Sequence, residues 1–460
     1  MEKLKIVSPF RLSSLLRLQE DPKLALQLFL NPKPNPNSST KPFRYTRLCY
    51  DLVITKLGRA KMFDELDQIL SKLKLERRFT ATEIIFCNVI TYYARARLPE
   101  KALEIYDQIP SFGCHRTVKS LNSLLNGLLI CGEFDKMQRI FVSIDRFACP
   151  DACTFNIMIN ASRVRGDMDG ARNLFDEMRQ RGFRPNPVTF ATLISGLCEN
   201  SMLKEAFRLK KDMLRVYRVK PNGSVYASLI KGLCRVNELT LAFKLKDEML
   251  ENKILLDSAI YTTLISGLFK AGRKAEVLGV LEEMRRNGCE HDTATYNALI
   301  AGFCGEEDFD WALRMVNKMG GKACKPDVIT YNTLIGGYCK AGRLQEAMDI
   351  FEDMPRRGCS PDVVSYRILL DGLLGGFASK EAAVILDEMI FKGYHPHSAS
   401  ITKFIDGLRE EANKELLSIV VNSLAKGNLI DPSSWKMAIS TVYENDKLLN
   451  SFEVVDNLIK

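Results

Sequence analysis

Residues 328–362, VITYNTLIGGYCKAGRLQEAMDIFEDMPRRGCSPD, carry two apolar stripes. Tyr331, Leu334, Ile335 and Tyr338 fall at i, i+3, i+4 and i+7, the spacing of one buried helix face. Lys340-Ala341-Gly342-Arg343 breaks that stripe, and Gly342 suits a helix C-terminus. A second stripe follows at Leu344, Ala347, Met348, Phe351 and Met354 and is closed by Pro355 and the turn residues up to Pro361. No segment alternates with period two. The pattern predicts a helical hairpin of two antiparallel helices.

The same pattern recurs along the chain. Met178, Met213, Met249, Met284, Met319, Met354 and Met389 are spaced by 35 or 36 residues. Gly196, Gly232, Gly267, Gly302, Gly337, Gly372 and Gly407 keep the same step, as do Phe155, Phe190, Tyr226, Tyr261, Tyr296, Tyr331 and Tyr366. Three residue types sharing one period define a repeat array. A single hairpin cannot bury both stripes, so neighbours must stack and share a core. The expected fold is all-α, a right-handed α-solenoid superhelix of stacked 35-residue helix-turn-helix repeats. Units are expected to begin near residues 47, 83, 118, 152, 187, 223, 258, 293, 328, 363 and 398. Residues 1–46 read as a leader, a capping hairpin over 12–30 and a Pro/Asn/Ser-rich linker over 31–42. Residues 47–431 form the array of about eleven repeats, and 432–460 a partial C-terminal repeat.

Composition narrows the chemistry. A length of 460 residues would ordinarily mean two to four domains, but the period replaces them with copies of one unit. The net charge of +9 permits an anionic partner without requiring one. No apolar run approaches the roughly 20 residues a bilayer needs, so no membrane association is expected. The 13 cysteines are odd in number and scattered, which argues against a disulfide framework and for a reducing compartment. Cys198, Cys234, Cys304 and Cys339 share one repeat position, and Cys114, Cys289, Cys324 and Cys359 another; both columns read as packing residues. Cys149 and Cys153 lack a second pair, and no Cys-x-x-Cys occurs, so a zinc site is not expected. His395 and His397 flank Pro396 in an expected exposed turn. No phosphate-binding loop, deaminase signature or catalytic triad pattern is present, and no catalytic residue or cofactor is expected.

The unit 328–362, with its aromatic-Asn-Thr start, Gly-Tyr-Cys-Lys turn and terminal Pro-Asp, resembles a pentatricopeptide repeat. The near-constant unit length resembles the pure-repeat P class of plants. That resemblance implies single-stranded RNA binding, one base per repeat, read by the fifth residue of the unit and by its last. An ionised Asp only accepts hydrogen bonds and suits the N–H edges of U or G; an Asn amide also donates and suits C or A. Carried over, Asn122 with Asp151 implies U, and Asn156 with Asn186 implies C or U. Thr262 with Asp292 implies G, while Asn297 with Asp327 and Asn332 with Asp362 imply U. Ala191 with Asn222 and Ala227 with Asp257 keep only a last-residue preference, for A and G respectively. The implied central footprint is 5′-U-C/U-(A)-(G)-G-U-U-3′. Cys87 with Thr117 and Arg367 with His397 match no reading.

Second residues of each unit wedge between bases in this family; Ile84, Val188, Ile329 and Val364 fit. Ser224, Ala259 and Ala294 are small there, and Lys119 and Cys153 depart. The phosphate-facing basic position is matched by Arg59, Arg95, Arg235, Lys270 and Lys340, but not by Glu199, Gly305 or Gly375. Five such contacts imply a salt dependence of about 0.7 per neutralised phosphate. The column has a structural explanation as well, because Asn, Thr and Pro-Asp are favoured at helix caps and turns. Its variation from Ala191 and Ala227 to Thr262 and Asn297 argues for more than capping. The resemblance further implies an organellar transcript as target, other organellar RNA-processing proteins as partners, and a mitochondrial location with the chloroplast as alternative. The start, MEKLKIVSPFRLSS, reads as a weak basic amphipathic leader. The alternative function is a protein-binding helical scaffold without RNA specificity.

Overall fold

The computed structural model describes residues 8–32, 43–76, 78–144, 149–320 and 324–411, with isolated positions between 416 and 424. Most of the 31–42 linker and the partial repeat at 432–460 lie outside the described residues. The chain divides into two compact units, residues 1–232 and 233–460. The division falls within the helix Gly223–Arg235.

Both units are stacks of helical hairpins, and no strand occurs among the described residues. The first unit opens with two short helices, Pro9–Leu18 and Pro22–Leu30, each started by a side-chain cap and a Pro in its first turn. Hairpins then begin at Arg47, Glu83, Val118, Ala152 and Pro187, and in the second unit at Ser258, Thr293, Val328 and Val363. The expected starts, including Gly223 and Ser398, coincide with observed first helices. The spacing from Val118 to Ser398 runs from 34 to 36 residues. First helices pack on their own second helices and on the next first helix, as Glu83–Arg95 does on Pro99–Gln108 and Val118–Cys131 in the first unit and Val328–Lys340 does on Leu344–Asp353 and Val363–Gly375 in the second.

Helix starts are set locally. In repeat 328–362 the preceding Asp327 caps Val328–Lys340, and Thr330 completes a reciprocal capping box. Gly342 ends the helix with φ of 72°, and Arg343 donates its N–H to the Tyr338 carbonyl at 2.9 Å. The predicted first stripe is buried, as are Ala347, Phe351 and Met354 of the second. The methionine and aromatic columns are likewise buried at every position.

Stacking explains two further columns. A Cβ on Gly337 would lie 2.6 Å from the Cβ of Cys304 in the preceding repeat, closer than carbon atoms approach. Gly232 stands in the same relation to Cys198, and Gly267 to Cys234. Glycine and cysteine together therefore set how closely first helices approach. Burial pushes the thiols of Cys234, Cys304 and Cys339 up to about 11, as befits packing groups. The second cysteine column does more than pack. Cys289, Cys324 and Cys359 each donate Sγ–H to a carbonyl in the preceding inter-repeat turn, at 3.2, 3.4 and 3.4 Å.

Candidate nucleic-acid interface

The last residue of each central repeat is the N-cap of the next repeat's first helix. Seven successive caps, Asp151, Asn186, Asn222, Asp257, Asp292, Asp327 and Asp362, accept at Oδ1 from the backbone N–H of the third helical residue. These distances lie between 2.8 and 3.2 Å. One atom of each cap is thus used by the fold, which leaves Oδ2 of each Asp and Nδ2 of each Asn as a second polar atom. Asp292 is the exception, since its Oδ2 accepts from the Ser258 hydroxyl at 2.7 Å.

The fifth residue of the preceding repeat reaches the same cap. Asn122 donates Nδ2–H to Asp151 Oδ1 at 3.1 Å, and Asn156 does so to Asn186 Oδ1 at 3.4 Å. A carboxylate only accepts, so the Asn122 amide must face Asp151 with its NH2 group. Its carbonyl oxygen then points to Thr154, whose hydroxyl donates to it at 2.8 Å. The same arrangement joins Asn156 to Thr189 at 2.6 Å and Asn297 to Thr330 at 2.8 Å. Thr262 and Thr295 share a hydroxyl–hydroxyl bond of 3.2 Å. Burial works against ionised Asp151. Hydrogen bonds from the Thr154 N–H and from the Asn122 and Thr154 side chains outweigh it and hold the pKa below its ordinary value. Asp292 and Asp362 are lowered likewise, each with burial opposing and donors prevailing.

The third residue was not among the sites expected from sequence. Its signal is a Ser/Thr column immediately before the aromatic one: Ser120, Thr154, Thr189, Thr295, Thr330, Ser365 and Ser400. All are buried.

The other expected positions are exposed. Ile84, Val188, Ile329 and Val364 present 63, 57, 63 and 46% of their surface, against the usual burial of such side chains. Arg59, Arg95, Arg235, Lys270 and Lys340 are exposed as well. In the second unit an open cleft of about 710 Å³ gathers Ile329, Val364, Asn332 and Lys340 on one lining. Glu199, which breaks the basic column, pairs with Arg163 at 2.6 Å. The two repeats without a reading are built differently. Glu83 accepts from the Thr117 N–H and hydroxyl at 2.8 and 2.9 Å, and the Arg367 guanidinium donates to the His395 carbonyl. His395 and His397 are exposed. Among the described residues no cluster of His, Cys, Asp or Glu could hold a metal ion, and no helix is long and apolar enough to cross a membrane.

The PPR repeat family profile matches residues 150–199, 187–235, 256–305, 291–340 and 326–375, and a single PPR repeat profile matches 84–114 and 224–254. Together they cover more than half of the chain. The chain belongs to the pentatricopeptide repeat family. A pentatricopeptide repeat-containing protein of Arabidopsis thaliana is 52% identical over 248 residues, covering 46% of this chain and 53% of the relative. A mitochondrial pentatricopeptide repeat-containing protein of the same plant is 37% identical over 165 residues, covering 35% and 41%. The match thus spans about half or less of these relatives' length. Among solved structures, the pentatricopeptide repeat protein PPR10 from maize aligns over 97% of this chain and 79% of its own, with 18% identity and a TM-score of 0.38.

Proposed function

We propose that this pentatricopeptide repeat protein is a non-catalytic, sequence-selective binder of single-stranded RNA, of the pure-repeat P class, acting on an organellar transcript. The observation that carries the reading is the division of labour at the caps: one atom is spent on the helix and the chemically distinctive one is spared. At Asp151, Asp257, Asp327 and Asp362 the spared atom is an acceptor, suited to U or G. At Asn186 and Asn222 it is a donor, suited to C or A. The fifth residues Asn122, Asn156, Asn297 and Asn332 keep an amide N–H for a pyrimidine carbonyl, and Thr262 offers its hydroxyl to a purine. Ala191 and Ala227 offer nothing polar. Val188, Ile329 and Val364 would clamp bases between them, with Arg59, Arg95, Arg235, Lys270 and Lys340 along the phosphates.

The footprint on this reading is U-C/U-(A)-(G)-G-U-U. Its second G is read through Asp292, whose Oδ2 must be shared with Ser258, so discrimination is weakest among the polar repeats there. Binding would mask or hold open a short tract and so affect processing, stability, splicing or translation. A mitochondrial location is supported by the relatives named as mitochondrial, with the chloroplast as alternative; other RNA-processing proteins would then act beside it.

Fluorescence anisotropy with short RNAs tests the reading. Substituting Asn332→Thr moves the preference of repeat 328–362 from U to G, while the other positions keep theirs. Affinity that is flat with sequence and equal to that of a generic basic protein would instead favour the protein-binding scaffold.

A further inference from the structure

The third residue of each repeat divides sharply by side chain. Where it is Thr, its hydroxyl reaches back across the repeat boundary to the fifth residue of the preceding repeat: Thr154 to Asn122, Thr189 to Asn156, Thr295 to Thr262 and Thr330 to Asn297. Where it is Ser, the hydroxyl makes no such bond: Ser120 reaches the Thr117 carbonyl, Ser400 reaches Asp371, and Ser365 keeps only the bond to its cap's Oδ1 that the threonines also make. The consequence is visible at Asn332. Its side chain is 8% exposed, it lines the cleft with Ile329 and Val364, and its Oδ1 is buried without a hydrogen-bond partner among the described residues. The β-methyl of Thr restricts χ1 and so fixes a hydroxyl that lies within reach of both its own cap and the preceding fifth residue, whereas Ser365 makes only the cap bond.

Polarity is also matched across the boundary. The apolar fifth residues Ala191 and Ala227 are followed, at the third position of the next repeat, by Val225 and Ile260. In all seven central repeats a polar fifth residue is followed by a polar third residue and an apolar one by an apolar one. A buried hydroxyl without a partner is costly, so the two positions change together.

We infer that the third residue is a positioning residue for base selection. Thr holds the fifth-residue side chain of the preceding repeat in one orientation, Ser leaves its carbonyl oxygen unheld, and Val or Ile accompanies a repeat that does not select through that side chain. This rests on the RNA-binding reading and adds to it a third determinant, drawn from the following repeat. Repeat 293–327 is a tight reader, and repeat 328–362 a loose one despite having the same Asn-Asp pair. Asn332 bonds Asp362 through its amide, but no hydroxyl holds its carbonyl oxygen, so the side chain is fixed at one end only and U and C are separated less well there.

The reciprocal swap tests this on the full chain. Ser365 keeps both bonds of its capping box, with Asp362 N–H to Oγ at 3.2 Å and Oγ to Asp362 Oδ1 at 3.0 Å, so Thr330→Ser is expected to preserve the cap while releasing Asn297. RNAs carrying U or C opposite each of the two repeats are titrated by anisotropy, with thermal unfolding followed in parallel. Thr330→Ser lowers the U-over-C ratio at repeat 293–327 by about three- to tenfold, the worth of one neutral hydrogen bond. Ser365→Thr raises the ratio at repeat 328–362 by a similar factor. Each leaves the other repeat's ratio and the unfolding midpoint close to the parent's. A double substitution, Asn297→Ala with Thr330→Val, stays folded and reads nothing through the fifth position. Unchanged ratios in both swaps, in a parent chain that does discriminate, overturn the inference alone. A parent chain that discriminates at neither repeat overturns the RNA-binding reading, and the inference with it.

Discussion

Repeats 152–186 and 187–222 are neighbours in the first unit and share almost everything that builds a hairpin. Both first helices are capped by the residue before them, both bury an aromatic at the fourth position, and both carry a buried methionine in the second helix. They part at two places. Asn156 is bonded to Asn186 and Thr189, whereas the corresponding residues of the next repeat are Ala191, Asn222 and Val225. The first repeat turns through Gly166, the second through Ser201, both in the left-handed region with φ of 82° and 60°. The Asn cap is common to both, and the scaffold is indifferent to the fifth and third residues, provided the two change together. Selectivity can vary from repeat to repeat without redesigning the stack.

The largest break comes from changing one partner alone. Thr189→Val leaves the Asn156 carbonyl oxygen without its donor and removes the capping-box hydroxyl, and should cost about 1–3 kcal/mol in chemical unfolding. Adding Asn156→Ala turns the pair into that of its neighbour and should recover a large part of the loss. If the double variant is no more stable than the single, the matching of positions is coincidental.

A second contrast sets Asp caps against Asn caps. Asp151 has its pKa depressed on folding, so its contribution to stability is complete above its unfolded pKa, roughly 3.9. That contribution is lost as pH falls through the lower folded value. Asn186 cannot titrate. Thermal midpoints followed from pH 6 to pH 3 should therefore fall less steeply in Asp151→Asn than in the parent, with little difference near neutrality, where the two residues cap comparably.

The smallest effect sharpens the turn comparison. Ser201→Gly should raise stability by about 0.5–1 kcal/mol, because a side chain in the left-handed region carries a steric penalty that glycine avoids. Gly166→Ser should lower it by a similar amount. Midpoints that do not move in opposite directions would mean that the turn conformation is not what separates these residues.

The repeat starts were legible because their determinants are local. An Asn or Asp cap, a Thr or Ser three residues on, and an aromatic next to it recur beside the apolar stripe, and capping acts within one turn. The aliphatics at Ile84, Val188, Ile329 and Val364 were singled out by the family resemblance, and in the structure they are exposed. Less could be read from the cysteines. One column packs against glycines, but in the other Cys289, Cys324 and Cys359 tie their thiols to carbonyls 33 residues earlier, a role that composition does not announce.

The sequence by itself determined the all-α class, the period, the hairpin boundaries and the residues that face the core, all consequences of helix periodicity and local capping. Only the tertiary structure decided which cap atom is spared and that Ser258 takes up the spared oxygen of Asp292. It also decided that a threonine one repeat later holds the amide of the residue before it. Those facts depend on the offset at which neighbouring hairpins stack, which brings together side chains some 32–34 residues apart. Nothing in the order of residues sets that offset until a glycine of one helix lies against a cysteine of the last.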